Sequence, residues 1–278
     1  MKTNRDFKKY GNLNVALLFT FVYLLLIPSQ AEAQLIMGAR ATSMGQAITA
    51  MPGDVWQVFG NPSLLPDEGR SVSFYGIRYY GFSELTDMAL AGHYAHRFGN
   101  FAVGMHTYGD DLFRESRFRI AYSRGLEGIY LGVVVNYAHM SIERFGSAGA
   151  LVFDAGISYV ITDGLIAGSR ATNLTRSTIG RAGEELPREL ALGLSYTFSD
   201  RGTVSSEIVK DARFPLAYRG GMEVRVIDNF YLRGGFTTEP LTYSAGMGYN
   251  HNRWGINIVA QQHYVLGWNP GFDFNIRF

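Results

Sequence analysis

The stretch "LALGLSYTF" (190–198) alternates between large apolar residues and small or polar ones. Because side chains alternate across a β-strand, the leucines and aromatic residues lie on one face, and the alanine, glycine, serine and threonine lie on the other. This pattern is typical of a strand that faces lipid on one side and a narrow lumen on the other. A soluble β-sandwich also has apolar strand faces, but its solvent face usually carries Lys, Glu and Thr. The stretch therefore predicts a strand of a membrane β-barrel.

The same alternation recurs along most of the chain. It is clear in "TDMALAGHYAHRF" (86–98), "FRIAYS" (118–123), "IYLGVVVNY" (129–137) and "RWGINIVAQQ" (253–262). Fourteen segments follow the pattern, each close to the ~9–11 residues that a tilted strand needs to cross a bilayer. We predict an all-β, 14-stranded antiparallel transmembrane β-barrel over residues 71–278, because bacterial barrels have an even number of strands. The predicted strands are 71–80, 86–97, 100–108, 114–124, 128–140, 150–161, 164–174, 188–198, 202–209, 215–226, 229–237, 241–250, 253–263 and 270–278.

The predicted connections alternate in length. Every second connection is a tight turn, as in "TDG" (162–164) and "NHNR" (250–253), and the others are longer, as in "YGDDLFRE" (108–115) and "LTRSTIGRAGEELPRE" (174–189). Short periplasmic turns and longer outer loops are the expected asymmetry of an outer-membrane barrel. The loops of a soluble β-fold are not expected to alternate between short and long in this way.

The first 33 residues have the features of a secretory signal peptide. A basic start with Lys2 and Arg5 precedes the apolar run "VALLFTFVYLLLI" (15–27), which is too short to span a bilayer, and "PSQAEA" (28–33) ends in a small-x-small cleavage site. We expect Sec export, cleavage near Ala33-Gln34 and localisation in the outer membrane of a Gram-negative type of cell. An N-terminal membrane anchor is the alternative.

The composition excludes several classes of function. The chain has 25 basic and 24 acidic residues and a net charge of +1, which argues against a nucleic-acid partner. It has no cysteine, so packing or a closed hydrogen-bond network must stabilise it after export. The six histidines are scattered, which argues against a metal site, and there is no phosphate-binding loop. We therefore expect no cofactor and no metal.

One block, 39–65, does not follow the strand pattern. Met44, Ala47, Ile48 and Met51 have the i, i+3, i+4, i+7 spacing of a short amphipathic helix. "PG" at 52–53 would end that helix, and "NP" at 61–62 favours a turn. Its apolar content disfavours solvent exposure. We predict that 34–70 is a plug segment in the lumen, partly helical, and the alternative is a periplasmic tail.

This block resembles the N-terminal pattern of the long-chain fatty-acid transporter (FadL-type) superfamily, and is most similar to PorV/PorQ-type members from Bacteroidota and relatives. The tail "HYVLGWNPGFDFNIRF" (263–278) is similar to the closing strands of the family. The resemblance implies a 14-stranded barrel with an N-terminal plug. Loops in the family are usually longer than in this chain, which puts a function that needs large external domains in doubt. The matching pieces are Ala39-Arg40, Met44-Gly45 with Ala47, Asp54, and Asn61-Pro62 followed by Leu64-Leu65. The plug motif that we carry over is Arg40, Gly45, Asp54, Asn61 and Pro62.

A set of inward-facing and plug residues forms the candidate lumen or ligand path. One interpretation is a charge network that fills a narrow barrel and pins the plug. The other is that arginines bind an anionic head group, since guanidinium pairs well with carboxylate, while apolar plug residues line a path for a hydrophobic tail. The candidates are Met44, Trp56, Phe59, Arg117, Arg119, Arg170, Arg219, Glu223 and Arg233.

Two non-enzymatic functions remain open. The first is passive transport of small hydrophobic, fatty-acid-like molecules, and the second is a scaffold or accessory role with the proteins of type IX secretion, which the family subtype implies. His139 and Ser141 could act as base and nucleophile, but no third orienting residue can be named, so we predict no catalytic site and no enzyme. Besides outer-membrane lipid, the barrel assembly machinery is an expected partner, through the terminal aromatic residue Phe278.

Overall fold

The computed structural model describes residues 36–199 and 201–278. The predicted signal peptide (1–33) lies outside the described residues. Sixteen strands are present in these ranges. Their bounds are β1 Arg70–Arg78, β2 Thr86–His96, β3 Gly99–Gly109, β4 Phe113–Leu126, β5 Ile129–Ile142, β6 Gly146–Thr162, β7 Leu165–Ala171, β8 Thr178–Ile179, β9 Glu184–Glu185, β10 Glu189–Phe198, β11 Gly202–Asp211, β12 Leu216–Ile227, β13 Phe230–Thr238, β14 Leu241–Asn250, β15 Trp254–His263 and β16 Gly267–Arg277.

Fourteen of these strands form one closed antiparallel barrel, which confirms the predicted fold. Neighbours in sequence are neighbours in the sheet, and β1 closes the barrel by pairing with β16, from Ser71 opposite Arg277 to Ile77 opposite Gly271. Closure leaves the sheet without an edge, so every strand finds backbone partners on both sides. β8 and β9 form a separate small hairpin.

Side-chain exposure follows the alternation of the sequence. In β10, Leu192 is 57% exposed and Leu194 is 50% exposed, whereas the inward-facing Ala191 and Ser195 are 0% and 2% exposed. The same holds at the end of the chain, where Phe272, Phe274, Ile276 and Phe278 are all exposed. The outer wall is therefore apolar over its whole circumference, as a lipid-facing surface requires.

The loop asymmetry is smaller than predicted. Two or three residues join β2–β3, β4–β5, β6–β7, β12–β13 and β14–β15, as expected for the side that also carries both barrel termini. We call this the short-turn side and the opposite one the long-loop side. On the long-loop side only 79–85, 172–188 and 212–215 exceed three residues, because β4, β5 and β6 continue as paired strands into the predicted loops.

The longest loop, 172–188, has its own structure, which the sequence analysis missed. It contains the β8–β9 hairpin, and its Ile179 and Leu186 are buried against Ala138 and Val152 of β5 and β6. Asn173 fixes the start of the loop, since its backbone N–H donates to Asp154 Oδ1 at 2.8 Å. The loop therefore folds over the inner face of the barrel mouth.

The segment 36–65, which we call the N-terminal segment, is mostly irregular. Helix α1 covers only Ala39–Ser43, and 3₁₀ helices cover Val55–Val58 and Pro62–Leu64. A further 3₁₀ helix, Ser83–Leu85, lies in the β1–β2 loop. The predicted helix through Met44, Ala47, Ile48 and Met51 is wrong, although all four residues are buried.

The helix ends early for a local reason. Gly45 and Gln46 both have left-handed backbone conformations, with φ of 62° and 63°, which a helix cannot accommodate. The chain then runs in turns, and its backbone groups bind side chains from the barrel wall. In residues 36–199 and 201–278, no helix has both the length and the hydropathy needed to cross a membrane.

Candidate functional site

The N-terminal segment hydrogen-bonds through its backbone to inward-facing side chains of the barrel. Ala39 N donates to Asp273 Oδ2 at 2.7 Å, and Thr49 N donates to Glu207 Oε2 at 2.9 Å. Thr237 Oγ1 donates to Gly45 O at 2.8 Å. These three wall residues come from β16, β11 and β13, so the segment is held by side chains of three strands. They also give partners to backbone groups that no secondary structure satisfies.

Inward-facing glycines make room for the segment. A Cβ atom added at any of these positions would lie 1.9–3.1 Å from an atom of the N-terminal segment. At seven of the eight positions the distance is below 3.0 Å, which real Cβ atoms essentially never show, so the wall is bare where the segment passes. Gly193, at 3.1 Å from Thr49 Cβ, could take a Cβ after a small shift. We call this set the glycine belt. It comprises Gly104, Gly132, Gly156, Gly168, Gly193, Gly221, Gly235 and Gly246.

Two residues of the predicted plug motif contact the wall on β12 and β13. Arg40 Nε and Nη2 donate to both carboxylate oxygens of Glu223 at 2.9 and 2.8 Å, a bidentate pair. Burial would lower the pKa of the Arg40 guanidinium, but Glu223 outweighs burial and raises it. Gly45 lies against the backbone of β13, where a Cβ would be 2.4 Å from Phe236 O. Only glycine fits at this contact.

The other three motif residues shape the turns of the segment. Asp54 caps the 3₁₀ helix Val55–Val58 by accepting from Trp56 N at 3.2 Å, and burial raises the pKa of its carboxyl. Asn61 caps the next helix through Ser63 N at 3.2 Å and donates from Nδ2 to Thr49 O at 2.6 Å. Pro62 is the first residue of that helix, a position that suits proline.

The predicted lumen arginines all face inward, and each has an acidic partner. Arg170 Nη1 donates to Glu189 at 2.8 Å, and Arg219 Nη1 donates to Glu207 at 3.1 Å. Arg170 also lies 3.8 Å from Glu207, so these four side chains form one buried network. Burying a charge is energetically costly unless the charge is paired. In this network each arginine has a glutamate partner, and each glutamate has an arginine partner.

The remaining arginines follow the same rule. Arg119 binds Asp154, Arg117 binds Glu115, and Arg233 Nε donates to Glu223 at 2.5 Å. Arg233 also donates from Nη1 to Asn257 Oδ1 at 2.8 Å. We name the ionic side chains of this side of the lumen the charged wall. It comprises Arg119, Asp154, Arg170, Glu189, Glu207, Arg219, Glu223 and Arg233.

Sequence reasoning missed three acidic partners in these networks: Glu115, Glu189 and Glu207. The strand period could have found Glu207, since it shares the parity of Thr203 and Ser205 in β11. Glu115 and Glu189 lie at the ends of β4 and β10, where strand bounds are hard to place.

A different inner surface is apolar. Side chains of the wall pack with Trp56, Val58 and Phe59 of the segment into one buried cluster. Trp56 meets Tyr75 edge-on at 5.8 Å and Phe59 at 6.2 Å between ring centroids. We call the wall residues of this cluster the apolar strip. It comprises Tyr75, Ile77, Ala89, Ala91, Ala102, Ala121, Val134 and Val259.

The apolar strip continues towards the long-loop side. Tyr79, at the end of β1, packs against the cluster and lies 6.4 Å from Tyr108, ring to ring. Beside the strip, Asp87 binds His106 through a buried hydrogen bond, which gives both polar side chains a partner. The strip and the charged wall divide the lining of the lumen into two chemically distinct surfaces.

Of the candidate path residues, Trp56 and Phe59 contact the apolar strip, whereas Met44 packs on the other side against β12 and β13. Trp56 also borders a cavity of about 410 Å³ on the short-turn side. Arg40, Glu223 and Arg233 line the same cavity. The indole therefore lies between the apolar strip and a polar cavity.

His139 and Ser141 do not face the lumen. Both follow the lipid-facing parity of β5, and His139 stacks on the ring of Tyr137 at 6.4 Å. Within the described ranges, no group of three or more His, Asp or Glu side chains could hold a metal ion.

The chain is similar to known proteins in its structure. No protein-family model matches the chain, and no curated protein matches it. The CymD monoaromatic hydrocarbon channel superposes with a TM-score of 0.66 at 13% identity, over 89% of this chain and 99% of CymD. The Pseudomonas putida toluene transporter TodX gives 0.63 at 13% identity, over 87% and 98% of the two chains.

A third likeness is to a FadL homologue from Pseudomonas aeruginosa, with a TM-score of 0.53 at 12% identity, over 87% of this chain and 97% of the homologue. Identities this low concern the fold and not the ligand. The chain therefore shares the 14-stranded barrel fold of FadL-type channels.

Proposed function

We propose that this protein is a non-enzymatic outer-membrane channel for the passive passage of small hydrophobic molecules. The observation that carries the proposal is the apolar strip inside the barrel, which runs from Tyr79 near the long-loop side to Trp56. Lumen-facing residues of a membrane barrel are usually polar, so an apolar inner surface favours an apolar solute once the segment residues that cover it move aside.

The proposal includes the N-terminal segment as a plug. In support, its backbone is held by wall side chains and its path follows the glycine belt. A solute that moves along the apolar strip must pass Trp56 to reach the 410 Å³ cavity. We therefore propose that local movement around Trp56 opens the way, and that the charged wall keeps the rest of the segment in place.

The structural neighbours support the same class of solute, since two of them are named as monoaromatic hydrocarbon or toluene channels. They also support location in the outer membrane, with the short-turn side facing the periplasm. The type IX secretion alternative rests on the sequence resemblance alone, and none of the structures named above is a PorV/PorQ-type protein. We favour transport for this reason.

Assembly in the outer membrane is proposed to use the C-terminal strand. Phe278 is 70% exposed, and its backbone N–H donates to Arg70 O at 3.0 Å at the seam of the barrel. Because this side chain stays exposed, we propose that the barrel assembly machinery recognises it.

Uptake of radiolabelled toluene tests the function. Cells that express the chain should take up toluene faster than cells with an empty vector, at equal amounts of folded barrel. Ala91→Asn places an amide in the apolar strip and should lower the initial rate by about tenfold, since an unpaired buried amide costs ~1–3 kcal/mol.

Ala191→Asn is the matched control. Ala191 is as buried as Ala91, at 0% against 1% exposure, and it faces the lumen from β10, away from the apolar strip. Its uptake should stay close to wild type. Equal uptake by wild type and empty vector would refute the proposed function, and equal loss in both variants would refute the route along the strip.

A further inference from the structure

Basic and aromatic side chains come together on the outer face of the barrel at the β2–β3 turn, on the short-turn side. His96, Arg97 and Phe98 belong to the end of β2 and to this turn, and Tyr122 and Arg124 belong to the neighbouring end of β4. We call these five residues the turn cluster. Tyr122 is half-buried and the other four are exposed. They lie outside the lumen, so the proposed solute path does not account for them.

The strand register brings His96 and Arg124 to one level of the outer face. His96 is paired with Gly99 across the turn, and Asn100 is paired with Ser123, so Arg124 comes next to Gly99. Neighbouring strands are ~4.8 Å apart, so two strand spacings, or ~10 Å of backbone, separate the two basic residues. Long side chains at this separation can bind one small group between them.

The turn cluster lies at the edge of the lipid-facing zone. Towards the short-turn side, the outward residues of β4 are Phe118, Ile120 and Tyr122, and Arg124 is the first outward charge after them. On β2, the exposed Tyr94 precedes His96 in the same way. Aromatic residues mark the interface between hydrocarbon and water, and charges are tolerated close to it. Arg124 and its neighbours therefore lie at the depth of lipid headgroups.

Side-chain contacts hold the turn cluster in place. The guanidinium of Arg97 lies 4.5 Å from the centroid of the Phe98 ring, and the His96 ring lies 5.0 Å from the same centroid. His96 Nδ1 accepts from Phe98 N at 3.4 Å, which leaves Nε2 as the N–H donor. The Tyr122 hydroxyl donates to Phe98 O at 2.7 Å and so ties β4 to the turn. None of these contacts neutralises a positive charge.

The two arginines of the turn cluster have no acidic partner in the chain. Over residues 36–199 and 201–278, no ion pair involves Arg97 or Arg124. On the long-loop side, by contrast, the exposed Arg114 pairs with Asp111 at 2.7 Å. The turn cluster is thus a positively charged surface at headgroup depth that is open to an anion from outside the chain.

We propose that the turn cluster binds the headgroup of an anionic phospholipid, phosphatidylglycerol, in the leaflet on the short-turn side. Arg97 and Arg124 donate to the phosphate oxygens from two sides, and His96 Nε2 donates a further hydrogen bond. The rings of Phe98 and Tyr122 contact the glycerol and the upper acyl chains, which a free phosphate ion lacks. The inference concerns the lipid around the barrel, so it does not depend on the transported solute.

Native mass spectrometry of the protein, purified in detergent from outer membranes, tests this site. The probes are phosphatidylglycerol and the zwitterionic phosphatidylethanolamine with the same acyl chains, titrated separately. Wild type should bind one phosphatidylglycerol about tenfold more tightly than phosphatidylethanolamine, as expected for two arginines beside an anionic headgroup. The double variant Arg97→Gln, Arg124→Gln should lose this preference.

The double variant Arg201→Gln, Arg225→Gln is the matched control. These two arginines also lie on the short-turn side, where Arg225 N donates to Arg201 O at 2.6 Å, but they belong to the turn after β10 and to β12. The control removes the same charge from the same side of the barrel and should keep the wild-type preference for phosphatidylglycerol.

Each of four results would overturn the proposal. The first is equal affinity of wild type for the two lipids, and the second is an unchanged preference in Arg97→Gln, Arg124→Gln. The third is an equal loss in the control, which would indicate general attraction to a basic surface. The fourth is displacement of phosphatidylglycerol by inorganic phosphate, which would indicate a site for the free ion. Heat-modifiable migration on a gel checks that all variants form the barrel.

Discussion

Arg40 is the residue that best illustrates how the N-terminal segment is held. It forms a bidentate pair with Glu223, and Glu223 is shared with Arg233. Loss of Arg40 leaves Glu223 paired through Arg233, so the barrel wall keeps its charge balance. The segment alone loses an anchor, which makes Arg40 a suitable position for a test.

Arg40→Ala should loosen the segment. Hydrogen bonds to charged groups contribute ~1.5–3 kcal/mol, so local opening should become at least about tenfold more frequent. The reporter is a cysteine at Ala47, which is 0% exposed in a chain without natural cysteine. Maleimide labelling of Ala47→Cys in outer membranes should be faster when Arg40→Ala is present.

The control for this prediction is Arg213→Ala. This substitution removes the ion pair between Arg213 Nε and Asp211 Oδ1, which are 3.2 Å apart. The pair lies close to the long-loop rim and outside the segment. Labelling of the reporter should not change. Equal labelling rates with and without Arg40→Ala would mean that the pair does not hold the segment.

At the scale of elements, the glycine belt links the sequence of each strand to the path of the segment. Gly235 faces the lumen on β13, where a Cβ would lie 2.2 Å from Gly45 N. The preceding residue, Gly234, faces outward, and its nearest neighbour would be Ser244 O at 3.8 Å. Of these two adjacent glycines, only Gly235 lies where an added methyl group would clash.

Gly235→Ala should destabilise the folded protein by about 1–3 kcal/mol, because the added methyl group meets backbone atoms that cannot move aside. Gly234→Ala should be close to neutral. Urea unfolding of the refolded protein, followed by heat-modifiable migration, measures both. Similar midpoints for the two variants would contradict the close packing of the segment on β13.

At the scale of the whole molecule, the proposed function requires the segment to move within a barrel that stays closed. All fourteen barrel strands are paired on both sides, so the wall offers no gap. Thr49 Cβ lies 3.1 Å from the position of a Cβ on Gly193, which is slightly below the ~3.5–4.5 Å of disulfides and can be reached with a small backbone shift.

The double variant Thr49→Cys, Gly193→Cys should form a disulfide that ties the segment to β10. Toluene uptake should fall when the bond is oxidised and recover with a reductant, whereas each single-cysteine variant should not respond to either reagent. Full uptake in the oxidised protein would show that passage does not need movement of this part of the segment.

The sequence by itself determined the barrel. The alternation of side chains is a local property of each strand, so the number of strands, their lipid-facing residues and most inward residues could be predicted from neighbours in the chain. The Gly and Pro residues beside them also predicted turns of the N-terminal segment near Asp54 and Asn61. The prediction of a helix through Met44–Met51 was wrong because Gly45 and Gln46 adopt left-handed backbone conformations that end the helix at Ser43.

Only the tertiary structure decided how the lumen is divided. Arg40 and Glu223 are separated by 183 positions, and Ala39 and Asp273 by 234, so no local pattern could pair them. Within the apolar strip, Val259 of β15 joins the residues of β1–β5 only because β1 pairs with β16. Closure of the barrel therefore brought Val259 to the rest of the apolar strip and formed the cavity beside Trp56, because it joined side chains from the two ends of the chain.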